Sequence, residues 1–336
     1  MIRGTAALRR WAAVAVLVAT SPGARADGLP RLAIEPHAVT VSGVSSGGYM
    51  ATQFQISFSS MVRGIGVFAA GPWYCARGSL TRAFGECLGR PDSAPDAAAL
   101  IALARSDAAA GRVDPLESLA DARVWVFHGT RDATVAAPVA RALADFYRGL
   151  VPAANVRYLD DIAVGHGVPT EAAGGPCEAT ASPFLYACHY DGVGEMLAFL
   201  HSGTPAAPPG AAGSLTSFDQ APYDPSGSLA ERGYLYVPSA CSGRQPCALH
   251  VAFHGCRQGT EFVGERFVRE AGYNRFADAH RLVVLYPQVK RSQLLPLNPE
   301  GCWDWWGYTG SNYAAKSSPQ MTAIMNMVHQ ITSGAH

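Results

Sequence analysis

The sequence of 336 residues is poor in charge, with only 15% Asp, Glu, Lys and Arg, and its 26 bases match its 26 acids. No concentrated positive field results, which excludes the electrostatics of a nucleic-acid partner or a polybasic membrane attachment. Beyond a short stretch near the N-terminus, no uncharged apolar segment reaches the length of a membrane span. No two cysteines have the C-x-x-C spacing of zinc ribbons or dithiol redox sites. Nor is an internal repeat apparent. What is present is 49% hydrophobic residues, enough for a large core, with 35 Gly and 23 Pro that imply many tight turns and no helical bundle.

Arg3, Arg9 and Arg10 precede the apolar run from Trp11 to Ala19, and Ala24-Arg25-Ala26 follows as a small-x-small cleavage signal. This is the pattern of a secretory signal peptide over residues 1–26, leaving a single mature domain over 27–336. The apolar run would rise only about 14 Å as a helix, roughly half of a bilayer core, so it is too short to span. Cleavage near Ala26 removes Arg3, Arg9, Arg10 and Arg25 and no acid, leaving 22 bases against 26 acids. A soluble secreted protein, periplasmic or extracellular, is expected. Export would keep the eight cysteines in an oxidising compartment, where disulfides persist. Eight cysteines admit about a hundred pairings. Local couples nevertheless stand out: Cys75 with Cys87, Cys177 with Cys188 and Cys241 with Cys247, which leaves Cys256 and Cys302 to close a long loop.

Short β-branched runs alternate with Ala-rich helical stretches, the pattern of an α/β fold with a mostly parallel sheet and helices on both faces. Strands are predicted at residues 38–42, 65–69, 123–127, 156–159, 233–237, 249–253 and 282–286, and helices at 49–58, 96–109, 138–148, 192–201, 267–279 and 320–331. Residues 202–214, SGTPAAPPGAAGS, have linker composition.

The segment Val41-Ser42-Gly43-Val44-Ser45-Ser46-Gly47-Gly48-Tyr49 runs a predicted strand into G-x-S-x-G and then into a predicted helix. A sharp strand-to-helix turn lifts the central serine above the sheet, and the flanking glycines prevent collisions with neighbouring elements. The pentapeptide alone is weak in a Gly-rich chain, and its position between strand and helix makes Ser45 the candidate nucleophile. Ser46 is not the motif serine, because Val44 rather than Gly lies two residues before it.

A serine hydroxyl needs a histidine base and a carboxylate that orients the imidazole, and in this fold class they follow in the order Ser, Asp, His. Asp132 lies in His128-Gly129-Thr130-Arg131-Asp132-Ala133-Thr134-Val135, just past a predicted strand, and His166 lies between two glycines past the next one. Among competitors, His128 fits a space-filling role, and Asp160 and Asp161 are too near His166 in sequence to approach it from a separate loop. The remaining histidines lack a glycine-flanked loop. Further on, Ala252-Phe253-His254-Gly255-Cys256 is a buried strand ending in an HGC loop like those whose backbone N–H stabilises an oxyanion in esterases. Its partner donor would be the N–H of Ser46, and His254 would shape the loop rather than act as a base. The oxyanion loop ordinarily precedes the nucleophile, whereas here it comes last. Circular permutation explains that order, with residues 202–214 joining the former termini and both halves sharing one sheet.

Together with the GCWDWW segment at residues 301–306, these motifs resemble the circularly permuted, single-domain poly(3-hydroxybutyrate) depolymerases of the α/β-hydrolase superfamily. The resemblance covers nearly all of the chain after residue 26. It implies a Ser45, Asp132 and His166 triad, an oxyanion hole from the N–H groups of Ser46 and Cys256, and a tryptophan at the crevice that contacts polymer: Trp306, with Trp305 and Trp303 behind it. It also implies a polyester or oligoester substrate, of poly(3-hydroxybutyrate) or related short-chain polyhydroxyalkanoates, and no metal or organic cofactor. No threonine-rich linker or separate polymer-binding module follows, so adsorption is expected to use the catalytic surface itself. Two other readings compete: a feruloyl or acetyl esterase acting on plant polysaccharide, and a non-catalytic polymer-binding protein with a hydrolase fold.

Overall fold

The structure, a computed structural model, describes residues 1–2, 28–89, 93–202, 211–243 and 245–334. The expected signal peptide, past its first two residues, and most of the 202–214 connection lie outside them.

The chain opens with β1 (Ile34–Val44), α1 (Ser46–Ser57), β2 (Val62–Phe68), α2 (Leu80–Phe84), α3 (Ala97–Ala109), β3 (Arg123–Phe127), α4 (Ala137–Arg148) and β4 (Val156–Leu159). Three very short strands follow, β5 (Val168–Thr170), β6 (Gly175–Pro176) and β7 (Leu185–Ala187), and then α5 (Gly192–Leu200). The second half holds β8 (Ser214–Asp219), β9 (Arg232–Val237), β10 (Cys247–Phe253), α6 (Thr260–Val263), α7 (Arg266–Glu270), α8 (Tyr273–His280), β11 (Leu282–Tyr286) and α9 (Pro319–Thr332).

Eight strands form one sheet in the order β4-β3-β2-β1-β10-β11-β9-β8. Only β9 runs against the others, pairing antiparallel with both β11 and β8. Alternation along the strands explains how one sheet serves two cores. On β3, Val124 and Val126 join the core packed by α1, α3, α4 and α9, while Trp125 and Phe127 join the one packed by α5, α7 and α8. On the second face Thr40 and Ser42 of β1 bond the two ring nitrogens of His250, at 2.8 and 2.7 Å. Ser42 reaches Tyr273 at 2.7 Å and Thr40 reaches His201 at 3.0 Å, so this buried polar chain is satisfied.

The structure departs from the sequence-based expectations at three places. The helix predicted over 267–279 is two helices, α7 and α8, because Gly272 between them adopts φ 106°. Residue 214 belongs to strand β8 rather than to a linker; its largely exposed edge strand has little apolar signal. The elements α2, α6 and the three strands around residues 168–187 are too short for periodicity to register.

Four disulfides join Cys75 to Cys87, Cys177 to Cys188, Cys241 to Cys247 and Cys256 to Cys302, the couples read from the sequence. They position the site's surroundings. The first brackets α2, the second brackets β7, and the last ties the segment after β10 to the tryptophans that follow residue 302.

Candidate active site

β1 and β10 are parallel neighbours with Gly43 opposite Phe253, so the turns that follow them leave the same sheet edge side by side. Ser45 occupies the first of these turns at φ 56° and ψ −123°, a conformation that non-glycine residues rarely adopt. Gly47 is required because a Cβ there would lie 2.3 Å from the Phe253 carbonyl oxygen and 2.4 Å from that of His254. The close approach of α1 to β10 therefore sets the glycine of the pentapeptide.

Asp132 sits in the loop after β3. Its Oδ1 accepts the N–H groups of Thr134 and Val135 at 2.8 and 3.0 Å, and its Oδ2 lies 2.9 Å from Nδ1 of His166. The His166 Nε2 lies 2.8 Å from the Ser45 Oγ. A carboxylate only accepts, so Nδ1 of the neutral ring carries the proton and Nε2 presents its lone pair to the serine hydroxyl. The Asp132 side chain is wholly buried and that of His166 nearly so, at 7% exposure. Water therefore competes little for either hydrogen bond.

Both loops are braced by backbone contacts. His128 donates from Nε2 to the Val135 carbonyl at 2.9 Å, closing the turn that carries Asp132. The N–H groups of Thr130 and Arg131 reach the carbonyls of Ile162 and Val164, stitching the aspartate loop to the histidine loop. Gly165 packs so tightly that a Cβ would lie 1.8 Å from the Ala179 carbonyl oxygen. Its N–H donates to Cys177, the His166 N–H to Thr180 Oγ1, and Tyr186 donates its hydroxyl to the His166 carbonyl at 2.9 Å. Asp160 instead pairs with Arg141 at the surface.

The turn after β10 is organised by His254 and Gln258. His254 donates from Nδ1 to the Gly255 carbonyl at 2.8 Å and accepts the Val289 N–H at Nε2, so both nitrogens are spent on backbone. Burial pushes its pKa down to about 4. Gln258 accepts the Gly255 N–H at 2.7 Å and donates to the Pro183 carbonyl at 3.0 Å, a bracing role that the sequence reading missed. Ser46 and Cys256 both line the cavity, and the N–H of neither has a protein acceptor among the described residues.

The cavity beside Ser45 measures about 780 Å³ and is walled by residues far apart in sequence, among them Leu80, Phe84, Phe184, Leu295, Leu297 and Trp306. Of the three tryptophans named above, Trp303 is misassigned: it is fully buried, edge-on to Phe253 and beside His254. Trp305 and Trp306 do line the cavity. Trp305 stacks on Tyr49 with centroids 4.9 Å apart and meets Trp306 edge-on at 5.4 Å. Asp304, fully buried, fixes this wall by accepting four backbone N–H groups from Trp306 to Thr309 and the Thr309 hydroxyl. Burial pushes its carboxyl pKa up while these donors oppose the shift. Among the described residues, no group of three His, Cys, Asp or Glu could hold a metal, and no helix is long and apolar enough to cross a membrane.

This arrangement has counterparts. The chain is 35% identical to a polyhydroxybutyrate depolymerase of Talaromyces funiculosus over 92% of its own length and 94% of that protein's. It belongs to the poly(3-hydroxybutyrate) depolymerase family. A poly(3-hydroxybutyrate) depolymerase of Delftia acidovorans is 40% identical over 91% of this chain, which spans 62% of the length of that longer relative. Two solved structures share its fold with a TM-score of 0.85 and 34% identity, over 92% of this chain and all of theirs. One is the depolymerase from Penicillium funiculosum, and the other is a serine-to-alanine variant of a PHB depolymerase complexed with an R3HB trimer. No family model matches the chain. As in the solved structures of the family, the fold is an α/β hydrolase with a mostly parallel sheet.

Proposed function

We propose that this chain is a secreted serine esterase that hydrolyses poly(3-hydroxybutyrate), related short-chain polyhydroxyalkanoates and their oligomers. The observation that carries this reading is the hydrogen-bonded series from Asp132 through His166 to Ser45 at the floor of an apolar cavity. The complex of a family member with an R3HB trimer supports the substrate class.

In this mechanism Nε2 of His166 takes the Ser45 proton as Oγ attacks the ester carbonyl carbon. Asp132 keeps Nδ1 protonated and stabilises the imidazolium that forms. The oxyanion draws on the N–H groups of Ser46 and Cys256, each worth about 3 kcal/mol if aligned as in other oxyanion holes. The C–O bond to the departing alcohol breaks, and His166 returns the proton to it. Water, deprotonated by His166, then attacks the acyl-enzyme and frees the carboxylic acid and Ser45.

Leu80, Phe84, Leu295 and Leu297 expose 56, 59, 93 and 55% of their area around the cavity, which supports contact with an apolar polyester. Export, in this reading, follows from the leader pattern in residues 1–26 and from four disulfides that require an oxidising compartment. The permuted origin is supported by a sheet in which β1–β4 occupy one side and β8–β11 the other. Both halves would thus form one catalytic domain. The deciding experiment is clearing of a suspension of amorphous poly(3-hydroxybutyrate) by the purified protein and its Ser45→Ala variant. Clearing by the wild type alone is expected. A suspension left opaque, with turnover of feruloylated or acetylated sugars instead, would overturn the substrate assignment.

A further inference from the structure

The cavity wall carries two formally charged side chains, Arg257 and Glu300, in otherwise neutral surroundings. Arg257 directly follows Cys256, whose N–H is a proposed oxyanion donor, and its side chain lines the same cavity. The residue adopts φ 55°, and its N–H donates to the Glu300 carbonyl at 2.7 Å. The guanidinium lies over the Phe184 ring, 5.3 Å from its centroid, and Nε is 3.1 Å from Glu300 Oε2. Its Nη1 and Nη2 make no hydrogen bond to the described residues. One edge of a rigid fork is thus held and the other has no partner among the described residues, on a side chain that lines the cavity and is 58% exposed.

A neutral polyester gives such a cation little to bind, because an internal ester carries no charge. The exception is the free acid end. In a hydroxyalkanoate chain that end belongs to the unit whose hydroxyl is esterified, so cleavage of the last ester expels it on the departing alcohol. We propose that Arg257 is a carboxylate-binding residue that takes the acid end of a hydroxyalkanoate oligomer and positions the terminal ester at Ser45. This rests on the ester-hydrolase reading above. Two parallel N–H donors match the two oxygens of a carboxylate. Glu300 offsets part of the positive charge, which suits a single anionic end rather than a multiply charged ligand.

The test compares kcat/KM for a 3-hydroxybutyrate trimer as free acid and as methyl ester. The wild type is expected to prefer the acid about tenfold, as a partly exposed charge-assisted contact allows. Arg257→Gln is expected to bring the ratio close to one, Arg257→Lys to keep part of it, and Glu300→Gln to raise it. A guanidinium that merely clamps two loops would change both substrates alike. A wild-type ratio of one, or a ratio unmoved by both Arg257→Gln and Glu300→Gln, overturns the carboxylate site while leaving the esterase reading intact. If Arg257→Gln does not fold, the Glu300→Gln ratio decides. Failure of the wild type to cleave either trimer overturns both inferences together.

Discussion

The floor of the cavity and its outer wall differ in how their side chains are held. Asp132 and His166 are buried with every side-chain nitrogen and oxygen engaged, and their loops are stitched together by backbone. The wall places Leu80, Phe84, Leu295 and Leu297 more than half exposed, on α2 and a long loop that hang on the Cys75–Cys87 and Cys256–Cys302 bonds. Proton transfer demands fixed geometry, since a hydrogen bond weakens steeply with misalignment. Contact with a flexible apolar chain demands area and tolerates adjustment. The two regions are therefore expected to respond differently to substitution.

The largest effect is expected from Ser45→Ala, which should lower kcat by roughly 10⁵-fold or more without lowering Tm. Steady-state kinetics and calorimetry check this, and an undiminished rate would remove the proposed nucleophile. Asp132→Asn, which disturbs the tautomer of His166, is expected to cost about 10⁴-fold in kcat. Opening the Cys256–Cys302 link between floor and wall with a double serine variant is expected to cost about 4 kcal/mol, against about 2 kcal/mol for Cys241–Cys247, because it closes the longer loop. Denaturant titration measures the difference, and equal losses would break the proposed distinction.

Acid is expected to act on the buried scaffold before the wall. Burial lowers the pKa of His201 and of His254 from 6.5 to about 4, so the unfolded chain binds more protons between those values. The stability from their neutral forms is present in full above pH 6.5 and is lost as pH falls toward 4. Thermal unfolding across that range is the check, with a flat Tm counting against it. The smallest effect belongs to the wall itself: Trp306→Ala is expected to lower kcat/KM for oligomers about tenfold and for a short acetyl ester by less. Equal losses on both would show that Trp306 supports the floor.

Much of the floor was legible in the sequence, because its constraints are local. G-x-S-x-G between strand and helix, a histidine between two glycines and an aspartate at a strand end each reflect a turn that few residues can form. Three disulfide couples were legible through their short spacings, and the fourth, Cys256 with Cys302, because it was what remained. The wall was not. Trp303, Trp305 and Trp306 are near neighbours in sequence, yet Trp303 packs inward while the other two reach the cavity, and the buried Asp304 between them fixes the turn. Gln258, Phe184 and Leu295 meet only because distant loops pack over β10 and α1. Sequence by itself determined the alternating α/β pattern and the order of the reacting groups, since periodicity and turn stereochemistry act over a few residues. Tertiary structure alone decided which aromatics and which cation line the cavity, since burial depends on segments that the chain brings together from far apart.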